Sequence, residues 1–378
     1  MSSSVPIYAK IDVAALKHNL SEVRRLVGKD TEIMAIVKAN AYGHGLVEVA
    51  RVMLDNGASR LGVARAGEAI RLRKAGITAP ILILGYTPPA QYEDVLTYDL
   101  TQTIYDVELA RMLSDIAGKL GKKARVHLKI DTGMGRLGFL DGPSVMRDII
   151  EVALLPNLEL EGMFTHFASA DIKDKSYTQQ QFSRFIELAC TLGRDGIDIP
   201  LLHAANSAAI IDMPETHLNL VRPGIMLYGL YPSPEVEKHR VDLKPAMTLK
   251  AQVSFVKKVP AGTSVSYGCT YTTPKETILA TVPAGYGDGY SRLLSNQGEV
   301  LIHGRRAPVV GRVCMDQLVV NVGHITDVAI GDEVVLYGRQ GDAVLPVEEL
   351  ADKIGTINYE VVTAVSARVP RVYVNGEE

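Results

Sequence analysis

A (β/α)8 TIM-type barrel followed by a mostly-β domain is the α/β fold that the sequence predicts, and three observations predict it. Eight short apolar runs alternate with amphipathic stretches over the first two-thirds of the chain. No Gly-x-Gly-x-x-Gly follows the first run, which argues against the dinucleotide-binding form of an open doubly wound sheet. Near Asp242–Pro245 the pattern changes to β-branched runs separated by turns.

The elements follow in order. Asp12 is a plausible N-cap, and Leu16, Leu20, Val23 and Val27 then fall on one helical face. The first strand candidate ends at Lys38. After Gly45, a second helical face carries Leu46, Val49, Ala50 and Met53. Further strand candidates are Arg60–Val63, Ile81–Leu84, Thr101–Ile104, Arg125–Ile130, Leu160–Thr165, Leu201–Ala204 and Leu218–Val221. Amphipathic segments such as Ala66–Ala75, Val107–Leu120 and Gln179–Leu192 lie between them. Such alternation implies parallel strands joined by right-handed helical crossovers, and eight units suit a closed barrel. From Met247 onward the runs are Leu249–Val256, Thr277–Val282, Val300–Ile302, Ala307–Val313, Gln317–Val322 and Glu333–Leu336, broken at Pro260–Gly262, Gly285–Gly289 and Gly338–Asp342. They predict a compact, mostly antiparallel domain. The expected division is a barrel over 1–240 and a β domain over 241–378, with residues 1–9 available as a further strand of the second. The charged, proline-containing stretch Ser233–Pro245 is the expected connector.

Composition removes several classes of function. The 378 residues are 47% hydrophobic and 22% charged, with a formal net charge of -3. No global basic field points to nucleic acid or an anionic membrane. The segment Met1-Ser2-Ser3-Ser4-Val5-Pro6 lacks the features of a signal peptide, and no apolar run reaches the roughly 18 residues of a membrane span. Cys190, Cys269 and Cys314 form neither a disulfide framework nor a metal-ligand spacing, and the nine histidines form no HExxH cluster. A cytoplasmic protein without a metal is expected.

The most informative run is Ala35-Ile36-Val37-Lys38-Ala39-Asn40-Ala41-Tyr42-Gly43-His44-Gly45. Lysine is among the residues least often buried. At the end of a buried strand, a desolvated amine of lowered pKa is suited to a Schiff base with an aldehyde such as pyridoxal phosphate. A surface lysine snorkelling to water is the plainer alternative. Barrel active sites lie at the C-terminal ends of the strands, and a polar set is expected there. Lys38 and Tyr42 follow the first strand, Arg136 the fifth and His166 the sixth. Asn206 and Ser207 follow the seventh, and Arg222, Gly224 and Ile225 the eighth. Taken singly, His166 reads as a core histidine, Ser207 as a helix N-cap, Tyr42 as a turn aromatic, and Arg136 and Arg222 as salt-bridge partners. Jointly they suit a phosphorylated pyridine. Ser207 starts a helix whose N–H groups favour a phosphate, Gly224 lets the backbone approach, and an arginine at Arg222 would keep a pyridine nitrogen unprotonated. That weakens the ring as an electron sink and favours simple proton removal and return.

These motifs resemble the alanine racemases, a pyridoxal phosphate family of fold type III, over essentially the whole chain. The carrying segments are Ala35–Gly45, His127–Gly138, Phe164–Phe167, His203–Ser207, Arg222–Gly229, Val265–Tyr271, Gly285–Tyr290, Gly311–Gln317 and Ile357–Glu360. The resemblance implies a two-base interconversion of L- and D-alanine that supplies D-alanine for peptidoglycan. Lys38 would carry the cofactor and act as one base. Tyr267 would be the other, supplied from the partner subunit of a head-to-tail homodimer with shared active sites. His166 and Arg222 match a hydrogen-bond chain to that tyrosine and the ring nitrogen. Arg136 and the backbone N–H of Met315 match contacts to the substrate carboxylate. Tyr42, Tyr359, Ser207, Gly224 and Ile225 match the phosphate-binding set. Tyr286 matches a constricted mouth, with Arg292, Arg312 and Asp171 as polar residues of the same corridor. Lys129 matches a lysine that bears an N-carboxylate in many members and orients the arginine, because a bare ammonium would repel Arg136. Pairing of Lys129 with Asp131 is the alternative. The competing functions are a broader-specificity or serine racemase, a basic amino-acid decarboxylase of the same fold, and a non-catalytic pyridoxal phosphate-binding homeostasis protein.

Overall fold

The computed structural model describes residues 5–140, 142 and 144–376; residues 1–4 of the expected N-terminal strand lie outside them. The described residues divide into two compact units, one within 16–41 and 46–244, the other within 5–15, 42–45 and 245–376.

In the first unit eight parallel strands alternate with helices. They are β1 (Glu32–Ile36), β2 (Arg60–Val63), β3 (Ile81–Ile83), β4 (Thr101–Ile104), β5 (Ala124–Asp131), β6 (Leu158–Phe164), β7 (Leu201–His203) and β8 (Leu220–Val221). Neighbours pair in the order β8-β1-β2-β3-β4-β5-β6-β7. The ring closes just past the last two strands, where Arg222 N–H donates to the Ala205 carbonyl at 3.0 Å. Parallel strands covered on both faces read as continuous apolar runs, and Ile33, Ala35, Leu61, Ile81, Val126 and Met163 are all fully buried. Burial of each of these side chains larger than alanine contributes about 1.5–3 kcal/mol. The helical faces read from the sequence pack inward, as with Leu46, Val49, Ala50 and Met53 of the helix Leu46–Asp55. Asp12 caps its helix by accepting from the N–H groups of Ala14 at 2.8 Å and Ala15 at 3.1 Å.

The segment expected as a connector is packed into the barrel unit. Asp242 N–H donates to Glu22 at 3.0 Å, and Lys244 N–H to Asn19 Oδ1 at 2.8 Å.

In the second unit one sheet runs, in spatial order, Arg305–Pro308, Glu299–Ile302, Glu333–Gln340, Met247–Gln252, Ile7–Asp12 and Arg371–Val374. The pairing of Ile7–Asp12 with Arg371–Val374 is parallel; the other pairings along this path are antiparallel. A second, antiparallel sheet contains Phe255–Val259, Thr277–Val282 and Leu318–Asn321. Two expectations are corrected. Leu249–Val256 is not one strand: Met247–Gln252 and Phe255–Val259 belong to different sheets. Ala307–Val313 is a strand only to Pro308: past it Val309 bridges Val320 and Val310 N–H donates to the Val319 carbonyl at 2.9 Å, so the chain leaves one sheet for the edge of the other.

Candidate active site

Lys38 does not end a strand. β1 stops at Ile36, and Lys38 opens a left-handed turn in which Ala39, Asn40, Ala41 and Tyr42 have φ of 53°, 55°, 53° and 51°. Four consecutive left-handed residues without a glycine are strained. Three hydrogen bonds hold them: Ala39 N–H to Glu68 Oε1 at 2.7 Å, Ala41 N–H to the Val37 carbonyl at 2.8 Å, and Leu46 N–H to Asn40 Oδ1 at 3.1 Å. The turn sets a half-buried Lys38 at the C-terminal pole of the barrel. Burial pushes its amine below the ordinary lysine pKa. The Arg136 charge pushes the same way, the Glu68 carboxylate opposes it, and Arg222 adds a smaller push.

Arg222, just past β8, is buried. Its Nη1 donates to the His203 carbonyl at 2.8 Å and to His203 Nδ1 at 3.1 Å. Its Nη2 donates to the carbonyls of Thr165 at 2.7 Å and Ala204 at 3.0 Å, with His166 Nδ1 at 3.4 Å. A guanidinium has five N–H donors. The four terminal ones are engaged, which leaves Nε–H as the remaining donor among the described residues. Burial pulls the Arg222 pKa down to about 9, so the cation persists at neutral pH. His166 is held well below its ordinary pKa by burial first, then by Arg222, Arg136, Lys129 and Lys38. It is a neutral imidazole. Because Arg222 can only donate, His166 Nδ1 accepts and Nε2 carries the proton.

Lys129 is buried on β5. Its amine donates to the Ile130 carbonyl at 2.8 Å and lies 5.6 Å from the Phe164 ring centroid. Burial, assisted by Arg222 and Arg136 and opposed by Asp131, brings its pKa to about 7. The alternative pairing with Asp131 gives way to another arrangement. The Asp131 carboxylate accepts the N–H groups of Gly133 at 2.9 Å, Gly135 at 3.1 Å and Arg136 at 3.1 Å, and so shapes the loop that carries Arg136. Ser207 is not the N-cap of its helix. Asn206 is, accepting from Ala209 N–H at 3.1 Å. Ser207 Oγ is thereby left to accept the N–H of Gly224 at 2.9 Å and of Met226 at 3.4 Å, tying the loop after β7 to the turn Ile225–Tyr228. Asp171 lies in the loop after β6, where its carbonyl accepts from Ser233 Oγ.

The second unit gathers its own groups. The hairpin Ser264–Val265 with Tyr271–Thr272 presents Tyr267 in an exposed turn. Ser266 holds that turn with a left-handed φ of 64° and an Oγ bonded to the Arg312 carbonyl at 2.6 Å. Tyr267 and Met315 line one open cleft of about 590 Å³ with Gly268, Cys314 and Asp316. The Met315 loop is fixed by Tyr286 N–H to the Cys314 carbonyl at 3.0 Å and Gly287 N–H to the Met315 carbonyl at 2.9 Å. Gly285 permits this approach, since a Cβ there would sit 2.2 Å from the Cys314 carbonyl. Tyr286 and Arg292 line a different cleft, of about 340 Å³. Half-buried Arg312 borders the Tyr267 turn: its Nε lies 3.5 Å from where a Gly268 Cβ would stand. The rings of Tyr42 and Tyr359 lie 6.2 Å apart.

Sequence reasoning missed two supports. Glu68 braces the Lys38 turn, although a glutamate three residues into a helix is a capping signal. Arg368 pairs with Asp288 and Asp316, both at 2.8 Å, and also reaches the Met315 carbonyl. Nothing in its local pattern marks that role.

Comparison with known proteins adds the following. The family model described as alanine racemase, N-terminal domain, matches residues 11–232, and that described as alanine racemase, C-terminal domain, matches residues 246–373. An alanine racemase of Desulforamulus reducens is 56% identical over 369 residues, covering 98% of this chain and 99% of that protein. A solved alanine racemase of Clostridium difficile superposes with a TM-score of 0.96 at 45% identity, over 99% of this chain and 97% of the other. That of Bacillus anthracis with bound L-Ala-P superposes with a TM-score of 0.92 at 40% identity, over 98% and 95%.

Proposed function

The chain belongs to the alanine racemase family, and from that premise we propose that it interconverts L- and D-alanine with Lys38 and Tyr267 as opposed bases. The family depends on pyridoxal phosphate, and D-alanine is a building block of peptidoglycan. The observation that carries the reading is the Lys38 amine, half-buried and of lowered pKa beside a buried guanidinium.

The residues fit the cofactor by the chemistry of their donors. A partly desolvated amine of lowered pKa suits its aldehyde, and the remaining Nε–H of Arg222 suits a pyridine nitrogen that stays unprotonated. Ser207, Gly224, Ile225, Tyr42 and Tyr359 are the residues assigned to its phosphate. Bound cofactor acidifies the α-hydrogen of the substrate. Lys38 Nζ then takes or returns that proton on one face, and Tyr267 Oη does so on the other. Inversion requires the two to lie on opposite faces. Arg136 and the N–H of Met315 orient the carboxylate. Tyr286, Arg292, Arg312 and Asp171 form the assigned corridor.

Family membership supports a dimer. Tyr267 is assigned to the active site of the partner subunit, in a head-to-tail arrangement, because its turn presents it to solvent. Lys129 is assigned an N-carboxylate, since an amine with a pKa near 7 is available to CO2 at neutral pH; labelled bicarbonate should give a carbamate carbon signal that Lys129→Met lacks. Among the described residues no helix is long and apolar enough to cross a membrane. Racemisation of alanine, serine and lysine, measured side by side with added cofactor, tests the activity. Alanine should turn over fastest, and a serine or lysine preference would overturn the assignment.

A further inference from the structure

A chain of polar side chains crosses the inside of the barrel below the site. Arg60 on β2 bonds Glu32 at 3.0 Å and Glu161 on β6 at 2.8 Å. The other Glu161 oxygen meets His127 Nε2 at 3.1 Å, and His127 Nδ1 meets His203 Nε2 at 2.8 Å. His203 Nδ1 meets Arg222 Nη1 at 3.1 Å. β2 and β6 are not neighbours in the sheet, so their side chains meet through the interior. The fold makes room for this line. The β5–β6 ladder shifts register between Val126 and His127, which aims Glu161 inward. A Cβ on Gly162 would stand 2.6 Å from the His127 ring. Phe164 stacks on the His203 ring, with centroids 4.8 Å apart and planes 10° apart.

Proton direction along this line is determined by its two ends. Arginine cannot accept a hydrogen bond, so His203 Nδ1 carries the lone pair and Nε2 the proton. That proton faces His127 Nδ1, which must accept. His127 Nε2–H then faces the Glu161 carboxylate. Burial holds both rings below the ordinary imidazole pKa; at His203 the Arg222 charge adds to it, while at His127 the Glu161 carboxylate opposes it. Each therefore holds one proton, on Nε2.

We propose that Glu161, acting through His127 and His203, is a positioning residue for Arg222: the single acceptor at the far end orients both rings so that His203 always offers Arg222 a lone pair. With Nη1 held there, Nε–H would remain the donor available to the cofactor's ring nitrogen. That last step rests on the role proposed above for Arg222; the ring directions do not. Neither does the first experiment, which reads nitrogen-15 shifts and couplings of the histidine rings in the holoenzyme. His127 and His203 should both be neutral Nε2–H tautomers across neutral pH, and a proton on Nδ1 of either ring would overturn the relay. The second compares variants. Glu161→Leu, without an acceptor, should lower kcat about tenfold with little change in KM and alter the cofactor absorbance. Glu161→Gln, combined with Arg60→Met so that no guanidinium competes for its single oxygen, keeps an acceptor for Nε2–H and should restore kcat to within about threefold, with both tautomers retained. Equal losses in the two variants would overturn the proposal. If Glu161→Leu does not fold, tautomers altered in the double variant would overturn it instead. Nε2 tautomers in a protein whose kcat and absorbance ignore Glu161→Leu would overturn the assignment of Arg222 and leave the ring directions standing.

Discussion

The barrel unit and the β unit treat their assigned groups in opposite ways. Arg222 and Lys129 keep 4% and 5% of their surface exposed, whereas Tyr267 and Met315 keep 72% and 52%. The barrel tunes its groups by desolvation and fixes them with carbonyls and imidazoles. The β unit holds its backbone firmly and presents its side chains to solvent. The difference teaches that one unit sets proton affinities by its own packing, whereas the other spends its hydrogen bonds on backbone and leaves its side chains at the surface.

The largest test of that contrast is Lys38→Ala. It should abolish racemisation, by about 10⁴-fold or more, and remove the absorbance of the lysine-bound cofactor; a surviving band would place the cofactor elsewhere. Tyr267→Phe comes next, with a loss of about 10²–10⁴-fold. Exchange of the α-proton with solvent should persist on the Lys38 face only. Full exchange from both enantiomers would remove the second base from the β unit. Gly285→Ala drives a Cβ against the Cys314 and Met315 carbonyls. It should raise KM for alanine more than it lowers kcat and cost about 1–3 kcal/mol in denaturant unfolding. Glu68→Ala removes the acceptor for Ala39 N–H and should cost about 1 kcal/mol, with a kcat loss larger than that of any exposed substitution on the same helix.

A last test separates the units by pH. Lys129 has a folded pKa of about 7 against an ordinary 10.5. Between those values the unfolded chain binds a proton that the folded chain does not, so stability rises with pH from about 7 to 10.5 and is at its lower level below 7. The thermal midpoint, measured without CO2, should show this slope in the native chain and a flatter one in Lys129→Met.

All eight barrel strands were legible because a strand covered on both faces must be apolar throughout, and helices pack by a fixed period. Leu249–Val256 misled by a different pattern. Leu249, Ala251, Val253 and Phe255 keep the two-residue alternation of a strand across the break, and no local signal says that Ser254 turns the chain into another sheet. Ser207 was legible as a polar residue at a helix start, but Asn206 competes for the cap and wins, and that frees Ser207 Oγ for Gly224. Glu161 and Arg368 were silent, since their partners stand 34 and 80 residues away.

By itself, then, the sequence determined the order of the elements, the run around Lys38 and the residue types at the strand ends. Those follow from local patterning and from covalent neighbours. Tertiary structure alone decided the left-handed turn at Lys38, the lowered proton affinities of Lys38 and Lys129, and the direction of the line from Glu161 to Arg222. Each of these depends on the dielectric and the hydrogen-bond partners that distant residues bring together, and no spacing in the chain encodes them.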